Sequence, residues 1–338
     1  MIWIDTPEHL AAHLAGWAGQ PLVALDTEFI RERTFYPQLA LVQLAVPGDV
    51  LLVDPLAPGI AAALRPLLVD PAVTKLMHSA AATCVSNSGA GLGYQKLVEM
   101  ITGVALAKGE TRSDWLRRPL SDAQREYAAD DVRYLHAVHA HLAPMLQALG
   151  RDDWRLADAE RALRQAAADG DDPWPHLSLR SAQSLDAGGQ ARLWRLLRWR
   201  DREARRSDRP KSWVLDPELA VTLARRPPAD ATAFEDVLDR HPKAPRKSRA
   251  ELWNLLSADI TAEERALPLL REPTYDKQAL KALQEAVAAQ ARAHGLPDGL
   301  LCARRHLEAL LDGRGWPDAL SGWRRELLEP VLAPLLPR

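Results

Sequence analysis

The sequence predicts an α/β domain with a mixed sheet, followed by an all-helical region. Three apolar, β-prone runs lie at 22–30, 39–46 and 50–53, and the last two flank the tight-turn signal Pro47-Gly48-Asp49. Beyond residue 187 the apolar residues recur only at helical spacing. We therefore expect strands in the front half and two small helical units behind them.

The front elements follow one another in a recognisable order. A strand at Met1–Ile4 precedes a helix that has Pro7 at its first position. A helix over Ile60–Leu68 and a short strand over Val73–Met77 come after the hairpin. Residues 80–93 are rich in small side chains without a period, so we expect a connection without regular structure.

The clearest helix of the front half runs from Ser121 to Leu142. Ser121 is suited to cap it, and Gln124, three residues later, completes a capping box. Asp, Gly and Pro residues over 169–186 then predict a linker. The helices expected beyond the linker are Gln190–Arg206, Asp276–His294, Leu300–Leu311 and Leu320–Leu336.

Composition restricts the class of protein. The chain has 338 residues, of which 47% are hydrophobic, enough for two or three domains with ordinary cores. We expect a cytoplasmic monomer without a membrane partner, because there is no secretory signal pattern and no run of about 18 apolar residues. Cys84 and Cys302 form no Cys-x-x-Cys pair, so we expect two inert thiols.

Charge is distributed unevenly along the chain. The formal net charge is −2, but Lys and Arg minus Asp and Glu gives −4 over residues 1–140 and +6 over residues 187–258. An acidic front beside a basic rear suits a metal-dependent site assisted by an anion-binding module. Ordinary surface variation between two domains explains the same difference.

Two carboxylates interrupt the first long strand. Asp26 and Glu28 are two residues apart, so they point to one face with Cα atoms about 6.6 Å apart. Paired acids in an apolar sheet are costly without a cation or a hydrogen-bond network. One interpretation is a divalent metal site, and the other is a solvated strand end paired with Arg31 or Arg33.

A third acid lies on the helix that begins after Ser121. Tyr127 and Asp131 are four residues apart and share a helix face. Asp26, Glu28 and Asp131 could give Mg²⁺ or Mn²⁺ the oxygen ligands that these ions prefer. Tyr127 could orient an attacking water, which indicates hydrolysis of a phosphodiester by two cations about 4 Å apart.

Several segments resemble the ribonuclease D family. They are Leu-Asp-Thr-Glu-Phe at 25–29, Lys-Leu-Met-His-Ser at 75–79, the run from Glu110 to Leu120, and Glu-Tyr-Ala-Ala-Asp-Asp-Val at 126–132. The resemblance implies a ribonuclease H-like (DnaQ-like) exonuclease domain at 1–168, a linker at 169–186, and two all-α HRDC (helicase-and-RNase-D C-terminal) modules at 187–266 and 267–338. It also implies a DEDD-type, tyrosine-subclass 3′–5′ exoribonuclease that trims precursor tRNA and other RNA 3′ ends with two metal ions. Asp26, Glu28, Tyr127 and Asp131 match its catalytic motifs.

The chain departs from the family at the second motif. Thr83 stands where the family has an aspartate, and no Asp or Glu lies between Asp70 and Glu99. About one helix and one strand are missing near 80–92, which leaves support for one ion in place of two. Three explanations remain: a genuine deletion, a sequence that omits or misreads an internal segment, or a relocated acid such as Asp114.

Basic residues concentrate on the first rear helix. Nine lie between Arg192 and Lys211, with Trp194, Trp199 and Trp213 among them. We expect RNA contacts from Arg195, Arg198, Arg202, Arg205 and Lys211. The alternative is a solvated helix face. For the three tryptophans we favour a place in the core, and for His78 a structural hydrogen bond.

Two functions of different class therefore remain open. The first is a metal-dependent exoribonuclease. The second is an RNA-binding protein of the same fold with weak or no catalysis, because the second-motif aspartate is absent.

Overall fold

The computed structural model describes residues 1–78, 93–107, 109–110, 112–167, 170, 172–271 and 275–337. The chain forms two compact units. The first contains Met1–Ile30, Leu39–Arg164 and Tyr275–Arg338, and the second contains Arg31–Gln38 and Gln165–Thr274. The prediction of a connection at 80–93 falls almost wholly outside the described residues, as does Cys84.

The first unit contains a five-stranded sheet in the order β1-β4-β3-β2-β5. Its strands are Ile2–Ile4 (β1), Leu22–Ile30 (β2), Gln38–Val46 (β3), Asp49–Val53 (β4) and Thr74–Leu76 (β5). β1 runs parallel to β4 and β5 parallel to β2, whereas β3 and β4 form the predicted antiparallel hairpin. Gly48 has a φ of 88°, which suits the second central position of the turn after Pro47.

Helices cover both faces of this sheet. The helices of this part of the chain are Pro7–Gly16 (α1), Ile60–Val69 (α2), Tyr94–Thr102 (α3), Asp122–Arg133 (α4), Leu135–Ala148 (α5) and Asp152–Ala167 (α6). α1 and α2 pack on one face of the sheet and α4 on the other, whereas Trp154 of α6 packs against the C-terminal helices. Val23 and Leu25 of β2 pack in the core that contains α1 and α2 residues, while Ala24 packs in the core that contains α4 residues. Because side chains alternate along a strand, Asp26 and Glu28 face the α4 side.

The predicted helix from Ser121 to Leu142 is two helices. The Ser121–Gln124 capping box is present at its start. The helix ends at Tyr134, which separates α4 from α5 and whose backbone N–H is directed to the carbonyl of Val132. The helix boundary therefore differs from the prediction, although Tyr127 and Asp131 remain on one helix.

The C-terminal helices belong to the first unit. They are Lys277–Ala293 (α13), Asp298–Leu301 (α14), Arg304–Leu311 (α15) and Trp323–Leu332 (α16). The predicted helix Leu300–Leu311 is interrupted at extended Cys302, and the helix predicted from Leu320 starts at α16 after Gly322. Trp323 stacks on Trp154 of α6 at 4.3 Å between ring centroids.

The second unit is helical, with one core. Its helices are Ala187–Ser207 (α7), Lys211–Val214 (α8), Pro217–Arg225 (α9), Ala231–Arg240 (α10), Arg249–Ser257 (α11) and Ala262–Arg265 (α12). Among the described residues of the whole chain, no helix is long and apolar enough to span a bilayer. Cys302, in the first unit, is buried, and burial raises its thiol pKa to about 11, as expected for an inert thiol.

Candidate active site

Three of the predicted acids converge in the first unit. Asp26 and Glu28 lie half-buried on β2, and Asp131 is 8% exposed on α4. Asp26, Asp131 and His78 each offer one ligand atom, and these atoms lie within 4.8 Å of one another. The even-numbered face of β2 and one face of α4 therefore create a single acidic centre.

The electrostatics of this centre show that its negative charge is poorly compensated. Burial, followed by the charges of Asp26 and Asp131, raises the pKa of Glu28 to about 8. Burial, followed by the charge of Asp26, raises the pKa of Asp131 to about 7. Such shifts arise when buried carboxylates also lie close to one another.

His78 lies directly against this centre. Its Nε2 is 2.8 Å from Oδ2 of Asp26, and its ring stacks on Tyr94 with centroids 5.3 Å apart. The hydrogen bond to Asp26 raises the pKa of His78. The expected structural hydrogen bond is present, but its partner is a site carboxylate, which the position of His78 at a strand end did not indicate.

Two tyrosines flank the acids. Tyr127 is half-buried one turn before Asp131, and its ring centroid is 6.1 Å from that of Trp115. Tyr94 donates its hydroxyl hydrogen bond to the carbonyl of Asp130 at 2.9 Å. Burial, followed by the charge of Asp131, raises the pKa of Tyr94, so this hydroxyl stays protonated.

The side chain of Asp130 has different partners from that of its neighbour Asp131. Its Oδ1 accepts a hydrogen bond from Arg133 at 2.5 Å, and Arg133 also pairs with Glu126. Asp130 is therefore neutralised on the helix itself. Only the second acid of this Asp-Asp pair joins the centre.

The donor set fits a divalent cation. Asp26, Glu28 and Asp131 offer carboxylate oxygens, which hard divalent ions prefer. Within the described ranges, the group that lowers the pKa values of both Glu28 and Asp131 is His78, whose hydrogen bond is directed to Asp26. A bound cation would favour the ionised forms of Glu28 and Asp131, which burial opposes first and the neighbouring carboxylates second.

Comparisons with known proteins decide the family. A family model for a 3′–5′ exonuclease matches residues 1–82 and 79–147, and one for the ribonuclease D C-terminal HRDC domain matches residues 273–332. A ribonuclease D of Xanthomonas oryzae is 49% identical over 358 aligned positions, covering 99% of this chain and 98% of the relative. The chain belongs to the ribonuclease D family. The ribonuclease D of Escherichia coli is 32% identical, covering 98% of this chain and 97% of the relative.

The solved structures agree with this family. Escherichia coli RNase D has a TM-score of 0.81 at 29% identity, covering 99% of this chain and 98% of that chain. A protein from Bifidobacterium adolescentis has a TM-score of 0.63 at 20% identity, covering 99% and 97%, and shows the fold alone. The predicted DnaQ-like fold is therefore confirmed, and the chain is a 3′–5′ exoribonuclease that depends on a divalent metal.

The family comparison also supports the predicted loss of a segment. The Xanthomonas alignment has 358 positions for a chain of 338 residues, so at least about 20 positions of that ribonuclease D have no counterpart here. The exonuclease family matches in two pieces that meet at 79–82. Thr83, which stands in place of the second-motif aspartate, lies outside the described residues.

Asp114, the suggested relocated acid, lies elsewhere in the first unit. Its side chain is exposed, and its Oδ1 accepts a hydrogen bond from the backbone N–H of Leu116. Asp114 contributes to neither the raised pKa of Glu28 nor that of Asp131. The described part of the chain therefore gives no support for Asp114 as a fourth ligand.

The predicted RNA-binding residues have different environments. Arg195 is buried, and all five of its N–H groups donate to Glu264 or to the carbonyls of residues 255, 258 and 259. Arg198 lies over the Trp194 ring, and Arg202 is exposed. Arg205 and Lys211 lie over the Phe35 ring.

Lys211 has a second contact, an ion pair with Asp201. The buried hydrogen bonds of Arg195 are those of a structural residue. Arg202 is the most accessible of the five residues that were predicted to contact RNA. The expected core position of the tryptophans holds for Trp199, which is 3% exposed. It is wrong for Trp213, which is 50% exposed because it lies on the short helix α8 at the surface.

Proposed function

We propose that this ribonuclease D family member trims the 3′ ends of precursor tRNA and other structured RNA, with Mg²⁺ or Mn²⁺ held by Asp26, Glu28 and Asp131. The observation that carries the proposal is the meeting of Asp26 of β2 and Asp131 of α4, whose ligand atoms lie within 4.8 Å of each other and of His78. The charges of both acids also act on Glu28, which places it beside them. Burial, followed by the charges of neighbouring carboxylates, raises the pKa of Glu28 to about 8 and that of Asp131 to about 7, and a bound cation would favour the ionised form of both.

The residues around the acids have separate tasks in this proposal. Divalent cations at such a site, when bound, activate the attacking water and stabilise the leaving oxygen. Tyr127 orients that water, since a tyrosine hydroxyl both donates and accepts, while phenols, which titrate near about pH 10 in peptides, are poor bases. His78 fixes the Asp26 carboxylate through their 2.8 Å hydrogen bond.

The number of ions follows from the missing segment. The three carboxylates support one ion, and we propose that a second ion binds weakly because the second-motif aspartate is absent from its place. An RNA-binding protein with little catalysis would have the same three acids. The enzyme is favoured because the ribonuclease D relatives span nearly the whole chain.

We further propose the domain division of an exonuclease domain at 1–168, a linker at 169–186, and HRDC modules at 187–266 and 267–338. The second module receives support from the HRDC match at 273–332. We propose that Arg198, Arg202, Arg205 and Lys211 of the first module contact the RNA. Arg195 is left out because its donors are occupied internally.

We propose that the enzyme acts as a monomer in the cytoplasm, where precursor tRNA is made. The proposal depends on the substrate class, since an exonuclease must meet the 3′ ends of newly made transcripts. Size-exclusion chromatography with light scattering would test the monomer directly.

Calorimetry of Mn²⁺ binding tests the metal site. We expect Asp26→Asn combined with Asp131→Asn to weaken Mn²⁺ binding by at least about a hundredfold, because two of three carboxylate ligands are lost. Asp114→Asn is the matched control, since Asp114 is exposed and its Oδ1 hydrogen bond can be kept by the amide. Equal Mn²⁺ affinity of the double variant and the parent would show that the site is wrong.

A further inference from the structure

A groove in the second unit is lined by none of the five residues that were predicted to contact RNA. It has a volume of about 700 Å³. One wall is formed by the C-terminal end of α7 and by α8, and the other by residues 243–248. Its most prominent side chain is Trp213, which is 50% exposed. We call this feature the Trp213 groove.

The lining of the Trp213 groove is strongly basic. Its cations are Arg206, Arg209, Lys243, Arg246 and Lys247, and its one carboxylate is Glu203. Glu203 pairs with Arg206 at 2.7 Å, and Arg246 lies 3.9 Å from Asp239. Two of the five cations are thus partly neutralised by neighbouring acids.

The other three cations are available to a ligand. Arg209, Lys243 and Lys247 are exposed and make no side-chain hydrogen bond or ion pair within the described part of the chain. Three uncompensated charges around one concave surface attract an anion that carries several charges. A polyanion therefore fits the groove better than a neutral ligand.

The exposed indole of Trp213 favours a ligand that also carries a flat group. The segment that carries it is a tight turn, because the backbone N–H of Trp213 donates to the carbonyl of Pro210 at 2.8 Å. Trp199, which also lines the groove, is buried in the core of the second unit. The exposed indole of Trp213 therefore lies on a hydrogen-bonded turn beside the core of the second unit, where a flat ligand can stack on it.

We propose that the Trp213 groove binds a single-stranded stretch of substrate RNA. One unpaired base stacks on Trp213, and neighbouring phosphates bind Arg209, Lys243 and Lys247. Single-stranded RNA alternates flat bases with phosphates, which matches an aromatic side chain among cations. An acidic protein segment would satisfy the cations but would leave the indole face without a stacking partner. The proposal rests on the proposed function, because it takes the bound polyanion to be the RNA that is degraded.

Equilibrium binding of a labelled 20-nucleotide oligouridine to the full chain tests the groove. We expect Trp213→Ala to weaken binding about 5- to 100-fold, the usual loss for one stacked base. Trp213→Phe keeps an aromatic ring and should restore most of the affinity. Trp174→Ala is the matched control, since Trp174 is 38% exposed in the same unit and lies outside the groove.

The charges are tested by the salt dependence of the same binding. Lys243→Ala combined with Lys247→Ala should reduce the slope of log affinity against log salt by about 1.4, or about 0.7 for each phosphate contact on a single strand. Arg226→Ala combined with Arg265→Ala removes the same charge from exposed positions outside the groove. That control should leave the slope unchanged within error.

Three results would overturn the proposal. One is an unchanged affinity of Trp213→Ala while its melting temperature equals that of the parent. Another is an equal reduction of the slope of log affinity against log salt in the Lys243→Ala, Lys247→Ala variant and in the Arg226→Ala, Arg265→Ala variant. A third is photocrosslinking of 4-thiouridine RNA only to peptides outside the groove.

Failure of the proposed function would look different. The parent would then leave RNA intact in Mn²⁺, yet its binding of oligouridine would still depend on Trp213. That result would support the groove and refute the trimming activity.

Discussion

At the scale of single residues, burial and then like charges determine the protonation of the acidic centre. Glu28 and Asp131 keep their protons to about pH 8 and 7 because burial and their neighbours oppose ionisation. The site is therefore stabilised by protons at low pH and by a cation at higher pH. His78 compensates part of the charge by its hydrogen bond to Asp26.

These pKa values predict how stability depends on pH. Glu28 has an ordinary pKa of 4.5 when unfolded and about 8 when folded, so the folded chain binds the extra proton between these values. The contribution of this group to stability is therefore complete below pH 4.5 and is lost as the pH rises through 8. We expect Glu28→Gln to raise the melting temperature of the metal-free chain at pH 8 and to leave it nearly unchanged at pH 5.

The matched control for this prediction is Glu32→Gln, which removes an exposed acid close in sequence. Added Mn²⁺ should raise the melting temperature of the parent more at pH 8 than at pH 5.5, because the cation competes with protons for the carboxylates. The interpretation would be refuted if Glu28→Gln and Glu32→Gln shifted the melting temperature equally at pH 8.

The sequence was sufficient to find some of the site residues and not others. The two-residue spacing of Asp26 and Glu28 and the four-residue spacing of Tyr127 and Asp131 are local, so each pair could be placed on one face. His78 meets Asp26 across 52 positions of sequence, and no local pattern encodes that contact. The exposure of Trp213 also depends on the tertiary packing of a four-residue helix.

Among the secondary-structure elements, α4 illustrates how well local signals perform. Its capping box was predicted from Ser121 and Gln124 and is present in the structure. A second set of contacts, made by Arg118 just before α4, could not be predicted from the sequence. Arg118 donates to Asp54 and to the carbonyl of Ala40, and it thereby ties the segment before α4 to the sheet.

α7 shows why a basic helix is not simply an RNA-binding face. Its hydrophobic residues were correctly expected to form a core, but Arg195 lies on the buried side. The hydrogen bonds from Arg195 are the leading cause that lowers the pKa of Glu264 to about 2. Sequence spacing cannot show this pairing, because the two residues are 69 positions apart.

Replacing Arg195 should therefore affect stability. We expect Arg195→Met to lower the free energy of unfolding of the second unit by about 3 kcal/mol, since it leaves Glu264 without its partner. Arg202→Met is the control, because Arg202 is exposed on the same helix. Thermal unfolding followed by circular dichroism measures both variants. Similar melting temperatures for the two variants would contradict the structural role of Arg195.

At the scale of the whole molecule, the chain has the ribonuclease D architecture, and we propose that its second motif is incomplete. The relatives cover at least 96% of it, and the exonuclease match is interrupted only around 79–82. Asp26 and Asp131 still meet, and their charges act on Glu28, so the acidic centre is present in the described residues. We therefore expect that the chain degrades RNA, but more slowly than a complete ribonuclease D.

A version with the lost segment restored makes this expectation testable. It would carry, after Ala80, an aspartate-bearing helix and strand of the kind that the resemblance to the family implies for this position. We expect it to cleave RNA at least about a hundredfold faster than the parent, because catalysis depends on the placement of both ions. RNA binding should change much less than turnover, since basic residues supply most of the phosphate affinity and the restored segment leaves those of the second unit in place.

The most direct test of the acidic centre is single-turnover degradation of a 5′-labelled RNA in Mn²⁺, which displays stepwise shortening from the 3′ end. The parent, the restored version and the Asp26→Asn, Asp131→Asn double variant would be compared. We expect stepwise 3′ shortening by the parent, faster shortening by the restored version, and none measurable for the double variant. Stepwise shortening by the double variant at the rate of the parent would contradict the assignment of catalysis to Asp26, Glu28 and Asp131.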